Sequence, residues 1–203
     1  MSTSLHCTNY DSQLQAAIPH LAGYPQLLPY IGSSWDQHNN KILFIGESHY
    51  LGNDSTVINN SETWYDGNGS NFVDSDFQHI DTRGAVISAD DYAVSGNGYF
   101  KGYSIYYNIK SAVLEACQID NKQQTLFQNF GYYNYFQRPA EITGDSIKNS
   151  EKDNQIAYKT LKTIAEITHP TALIFLSKKA YNAFWWQYEK NKEKVIADCS
   201  CES

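Results

Sequence analysis

The stretch Lys41-Ile-Leu-Phe-Ile-Gly46 is apolar at every interior position and follows the turn-like Asp36-Gln-His-Asn-Asn40. A run without alternation suits a strand covered on both faces, the usual condition in parallel sheets. Thr171-Ala-Leu-Ile-Phe-Leu176 has the same character and predicts another buried strand. Between them the aromatic-rich segment 125–136 predicts a further strand and its following loop. Other apolar positions recur at the helical period. Ile105, Ile109, Ala112, Val113, Ala116 and Cys117 predict a helix over 103–118. Ala157, Leu161, Ile164, Ala165 and Thr168 predict one over 151–168, stopped by His169-Pro170. Ala180, Tyr181, Phe184, Trp185 and Tyr188 fall on one face of a helix predicted over 178–194, and a short strand is expected at Val195-Ile-Ala-Asp198. Residues 10–31, broken by Pro19, Pro25 and Pro29, predict one or two short helices separated by turns. Residues 52–98 are rich in Gly, Asn, Ser and Asp and lack a period, so they read as a long loop-rich insertion.

Strands alternating with helices predict an α/β domain spanning 1–203, a three-layer α/β/α sandwich around a central parallel, mostly four-stranded sheet. Such sheets hold ligands beyond the carboxyl ends of their strands. Three segments are expected to meet there: 46–50, 134–140 and 177–179.

Composition narrows the partners. The chain has 203 residues, 41% of them hydrophobic and 14% aromatic, enough to fill a core. A formal charge of −7 argues against tight, sequence-blind binding to duplex DNA, which draws its affinity from cations on phosphates. No signal-peptide pattern opens the chain, and no apolar run approaches membrane-spanning length. A cytoplasmic protein with reduced cysteines, away from membranes, is the expectation. Cys199-Ser-Cys201 supplies too few ligands for a tetrahedral metal site, so neither metal nor cofactor is called for.

The three converging segments carry a resemblance. Ile42-Leu-Phe-Ile-Gly-Glu-Ser-His-Tyr50 resembles the first motif of the uracil-DNA glycosylase superfamily, a buried strand followed by glycine and a short polar loop. Asn134-Tyr-Phe-Gln-Arg138-Pro139 resembles its second segment, which in the mismatch-specific branch also carries Asn four residues before Arg. His169 to Ala180 resembles the third strand and the helix after it. Two residues beyond the motif glycine, where the best-known branch has its catalytic Asp, this chain has Ser48; Glu47 directly follows the glycine, as in another branch. Gln137 stands where the iron–sulfur branch has cysteine, so no cluster is implied. No match to the superfamily's late His-Pro-Ser segment appears up to Ser203.

The resemblance implies a uracil-DNA glycosylase-like enzyme that hydrolyses the N-glycosidic bond of a uracil-type base in DNA, the base flipped out or on a single strand. Glu47 and His49 are then the expected catalytic pair. Glu47 would stabilise the sugar cation or position a water, and His49 would donate to the departing base or orient that water. Gly46, Ser48, Tyr50, Phe100, Asn134 and Arg138 are the expected binding residues. Asn134 would read a base edge through its carbonyl and amide. Tyr50 would wall the pocket, Phe100 or Tyr99 would lie against the base, and Arg138 would hold a phosphate. Trp64-Tyr65 is another candidate ring pair, though most aromatics are expected in the core. Two other readings stay open: a domain that binds a nucleobase or nucleotide without cleaving, and a hydrolase using Glu47 and His49 on another small substrate.

Overall fold

A computed structural model describes residues 5–53, 55, 57, 60–65, 74–94, 103–119, 126–141 and 145–200, of which 74, 92–94 and 193–200 are described as backbone alone. In chain order the elements are α1 (Asp11–Ala17), α2 (Pro19–Gly23), β1 (Tyr30–Ile31), β2 (Ile42–Gly46), α3 (Ser61–Trp64), α4 (Asp74–His79), α5 (Thr82–Val94), α6 (Ser104–Ala116), β3 (Gly131–Asn134), α7 (Glu151–Thr168), β4 (Ala172–Phe175) and α8 (Lys178–Ser200).

The four strands form one sheet in the order β1-β3-β2-β4. β3 and β4 both run parallel to β2, while β1 pairs antiparallel with β3, so the sheet is mixed rather than parallel throughout. The apolar run 42–46 has a direct physical basis in β2. Leu43 and Ile45 face a cluster containing Leu14, Leu21, Leu161 and Ile164, whereas Phe44 faces Tyr30, Val86, Tyr106 and Ile109. Successive side chains point to opposite faces of a strand, and both faces here are apolar. Each fully buried side chain of this size contributes about 1.5–3 kcal/mol.

Local signals match several elements. Ser150 and Asp153 form a reciprocal capping box at the start of α7. The helix ends as His169 turns into the left-handed region (φ 51°), and Pro170 follows. Trp35 then ties α7 to the turn before β2, its Nε1 donating to the Thr168 carbonyl at 3.0 Å.

Three expectations are corrected. Among the described residues β4 is an edge strand: Ala172 is exposed and Ile174 is 40% exposed, because β2 flanks it on one side alone. The helix after it continues through 195–198, where a strand was expected, since α8 runs to Ser200. The α8 face that carries these aromatics is largely solvent-facing, with Tyr181, Trp185 and Tyr188 all exposed; Ala180 and the half-buried Phe184 make the inward contacts. The segment 52–98 holds α3, α4 and α5. α5 starts where Asp81 accepts the Gly84 backbone N–H at 2.9 Å, an N-cap in front of a sequence whose glycine and paired aspartates hide its helical period.

Candidate functional site

The carboxyl ends of β2, β3 and β4 lie side by side, and a cleft of about 850 Å³ opens over them. The Glu47–Tyr50 loop is fixed against the segment after β3. Phe136 N donates to the Glu47 carbonyl at 2.8 Å and Ala140 N to the His49 carbonyl at 2.7 Å. Gly46 pairs with Asn134 across the sheet. A β-carbon on Gly46 would collide with the Tyr132 hydroxyl and Asn134 Oδ1, so glycine there lets the two polar side chains sit over the strand end.

The cleft is lined by Glu47, Ser48, His49 and Tyr50 from the β2 loop, Tyr132 and Asn134 from β3, Ser177 after β4, and Tyr103 and Tyr106 at the start of α6. Glu47 is half-buried, and its Oε2 accepts the Ser177 hydroxyl at 2.6 Å. Ser177 Oγ in turn accepts the Ala180 N–H at 3.2 Å, which anchors it to the first turn of α8. Tyr50 stands on the rim at 42% exposure, with burial first and the Glu47 charge second pushing its phenol pKa up.

At the base of the cleft a polar chain crosses the sheet end. Tyr106 lies against Tyr132, with ring centres 4.9 Å apart. The Tyr132 hydroxyl donates to Asn134 Oδ1 at 3.1 Å. Asn134 Nδ2 donates to His49 Nε2 at 3.2 Å, and the Thr82 hydroxyl of α5 lies 3.1 Å from the same nitrogen. With His49 protonated on Nδ1, its Nε2 accepts from the carboxamide, which turns the nitrogen end toward His49 and the oxygen end toward Tyr132. One N–H and one oxygen lone pair of Asn134 remain beyond them.

His49 is 7% exposed. Burial lowers its pKa to about 4, against a smaller opposing effect from a hydrogen bond to the His79 backbone. The imidazole is therefore neutral near pH 7 and acts as an acceptor at Nε2. This geometry suits it to orienting Asn134 rather than to giving a proton to a leaving group.

Arg138 does not reach the cleft, contrary to the expected phosphate contact. It is 2% exposed and forms a fork onto Asp153, through Nε and Nη2 at 3.0 Å each. It also donates to Glu141 at 2.7 Å and to the Lys148 carbonyl at 2.9 Å. Burial works to raise the Asp153 carboxyl, but Arg138, the Ser150 backbone and Tyr65 outweigh it and hold the group below the usual carboxylate range. Trp64 is likewise a core residue, 1% exposed and stacked on Tyr24 at 4.6 Å between ring centres. Phe100 and Tyr99 lie outside the described residues, as does Cys201.

Thr82 was not singled out from the sequence, whereas Ser177 lay in the segment 177–179 and Tyr132 in an aromatic cluster able to stack on bases, neither with a role of its own. Tyr132 was accessible to it, because residues two apart on a strand share a face and Asn134 was already a candidate. Ser177 follows a strand end directly. Thr82 carries no local signal, since its contact with His49 spans 33 residues.

No family model, curated protein or solved structure matches this chain. Among the described residues no group of three or more His, Cys, Asp or Glu side chains is placed to hold a metal ion. Nor is any helix among them long and apolar enough to cross a membrane.

Proposed function

We propose that this chain is a uracil-DNA glycosylase-like protein that holds a uracil-type base in the cleft and hydrolyses its N-glycosidic bond. The observation that supports this reading is the Asn134 carboxamide, oriented by Tyr132 and His49 and lining the same cleft as the Glu47 carboxylate. Uracil offers an N–H beside carbonyl oxygens. The remaining lone pair and N–H of Asn134 complement that edge. Tyr106 and Tyr50 would supply aromatic walls. The helices packed on the two faces of the sheet would then be the outer layers of a three-layer α/β/α sandwich, with β1 as its one antiparallel strand.

In the reaction, the bond between sugar carbon and base nitrogen breaks with its electron pair going to the base. Positive charge builds on the sugar and is stabilised by the Glu47 carboxylate. A water oxygen bonds to the sugar carbon and loses a proton, for which the Glu47 oxygen not engaged by Ser177 is the acceptor. Asn134 donates to the base as it gains charge, and its amide is held ready by His49. The free thiols of Cys7 and Cys117 suit a reducing compartment such as cytoplasm.

The engagement of Glu47 by Ser177 also fits an alternative in which the same cleft binds a nucleobase without cleaving DNA. Incubation with uracil-containing oligonucleotides separates the two. Hydrolysis leaves abasic sites with the wild type and about 100-fold fewer with Glu47→Gln. Abasic sites absent from every reaction, together with a thermal shift by free uracil, would leave the binding reading alone.

A further inference from the structure

Beside the cleft runs a second groove of about 630 Å³, and Glu47 and Ser177 line both. Its remaining wall is polar and cationic, with Lys178 and Lys179 at the start of α8, Asn182 one turn on, and Asn149 and Asn154 opposite. At its margin stands Trp186, 66% exposed.

These features have no role in the base cleft. Trp185 and Tyr188 are also exposed but pack on one another, with ring centres 5.5 Å apart. Trp186 faces a hydrophilic groove instead of an apolar one. Lys178 is exposed, and Lys179 donates its ammonium to the Ile147 carbonyl, so it brings positive charge to the groove from a fixed position. The one carboxylate in the lining, Glu47, is already engaged by Ser177. A cationic wall with amide donors and an indole face matches a phosphate beside an unstacked base. A duplex cannot present that base face, and the net charge of −7 disfavours binding driven by backbone charge alone.

We propose that this groove carries the single strand that flanks the base held in the cleft, with a neighbouring base stacked on Trp186 and a phosphate at Lys178. The proposal rests on the cleft reading for its register, since the strand would pass from one space to the other past Glu47 and Ser177. It names single-stranded nucleic acid as the substrate class.

The test compares binding of a short single-stranded oligodeoxynucleotide containing one deoxyuridine with binding of deoxyuridine itself. The wild type, Trp186→Ala, Trp186→Phe and Lys178→Ala are measured over a range of salt. Trp186→Ala should weaken the oligonucleotide about tenfold, Trp186→Phe should restore most of that, and the nucleoside should be unaffected. Lys178→Ala should lower the salt slope for the oligonucleotide by about 0.7. Equal oligonucleotide affinity for wild type and Trp186→Ala would overturn the proposal while leaving nucleoside binding, and so the cleft reading, intact. Trp186-dependent binding of the oligonucleotide with no binding of the nucleoside would support the groove and count against the cleft. Tight binding of the matched duplex, indifferent to Trp186, would also overturn the proposal.

Discussion

Ser177 Oγ donates to Glu47 Oε2 at 2.6 Å, joining the end of β4 to the loop after β2 across 130 residues of chain. The hydroxyl holds one carboxylate oxygen and leaves the other for chemistry. Ser177→Ala should leave the carboxylate present but poorly aimed. The expected outcome is a fall of about tenfold in uracil release with little change in affinity for free uracil, measured by single-turnover kinetics and calorimetry. Equal loss in Ser177→Ala and Glu47→Gln would mean that Ser177 does more than position Glu47.

Gly46 leaves no room for a side chain, because Tyr132 and Asn134 occupy the space a β-carbon would take. Gly46→Ala should push both polar groups from their places. Overpacking of this kind costs about 1–3 kcal/mol. A lowered melting temperature with a disproportionate loss of base binding is expected; a variant that binds as well as wild type would show that the close approach is not needed.

The buried His49 and the half-buried His20 set a pH dependence of stability. Burial lowers His49 to about 4, and burial, against the hydrogen bond that His20 Nε2 donates to Gln137 Oε1, lowers His20 to about 4 as well. In the unfolded chain each returns to about 6.5. Between these values the unfolded state binds more protons, so stability rises with pH. The contribution is fully present above about 6.5 and is lost as pH falls toward 4, on the order of 3 kcal/mol for each histidine. Denaturant titrations across this range should show the decline, and His20→Gln should make it shallower. A flat profile would show that neither ring is held neutral.

Arg138 should act on folding alone. Removing it strands Asp153, which is fully buried, and leaves the Lys148 carbonyl without its donor. Loss of one member of a buried ion pair costs about 3–5 kcal/mol. Arg138→Ala should melt far earlier, yet its folded fraction should bind free uracil with wild-type affinity in the cold. Weakened binding with unchanged stability would return Arg138 to the site.

Much of the frame was legible where a signal was local. The run 42–46 named β2, the helical period and the His169-Pro170 stop bounded α7, and the rule that ligands sit beyond strand ends brought together 46–50, 134–140 and 177–179. What the run 171–176 lacked was any sign of its neighbours: an apolar strand reads the same whether covered or at an edge, so the exposure of Ile174 was out of reach. The expected roles of His49 and Arg138 changed for a related reason. A residue type announces what a side chain is able to do, but burial and partners contributed by α5, α7 and β3 determine what it does. The His49–Asn134 contact spans 85 residues and the Arg138 fork closes on Asp153 of α7, the helix that follows the motif.

The most direct measurement is the affinity of free uracil for the wild type and for Asn134→Ala, read by titration calorimetry on folded protein. If Asn134 presents its remaining N–H and lone pair to a base, the wild type binds uracil and the variant binds at least tenfold more weakly. Uracil affinity that is the same in both, or absent from the wild type, would contradict the assignment of this cleft to a nucleobase.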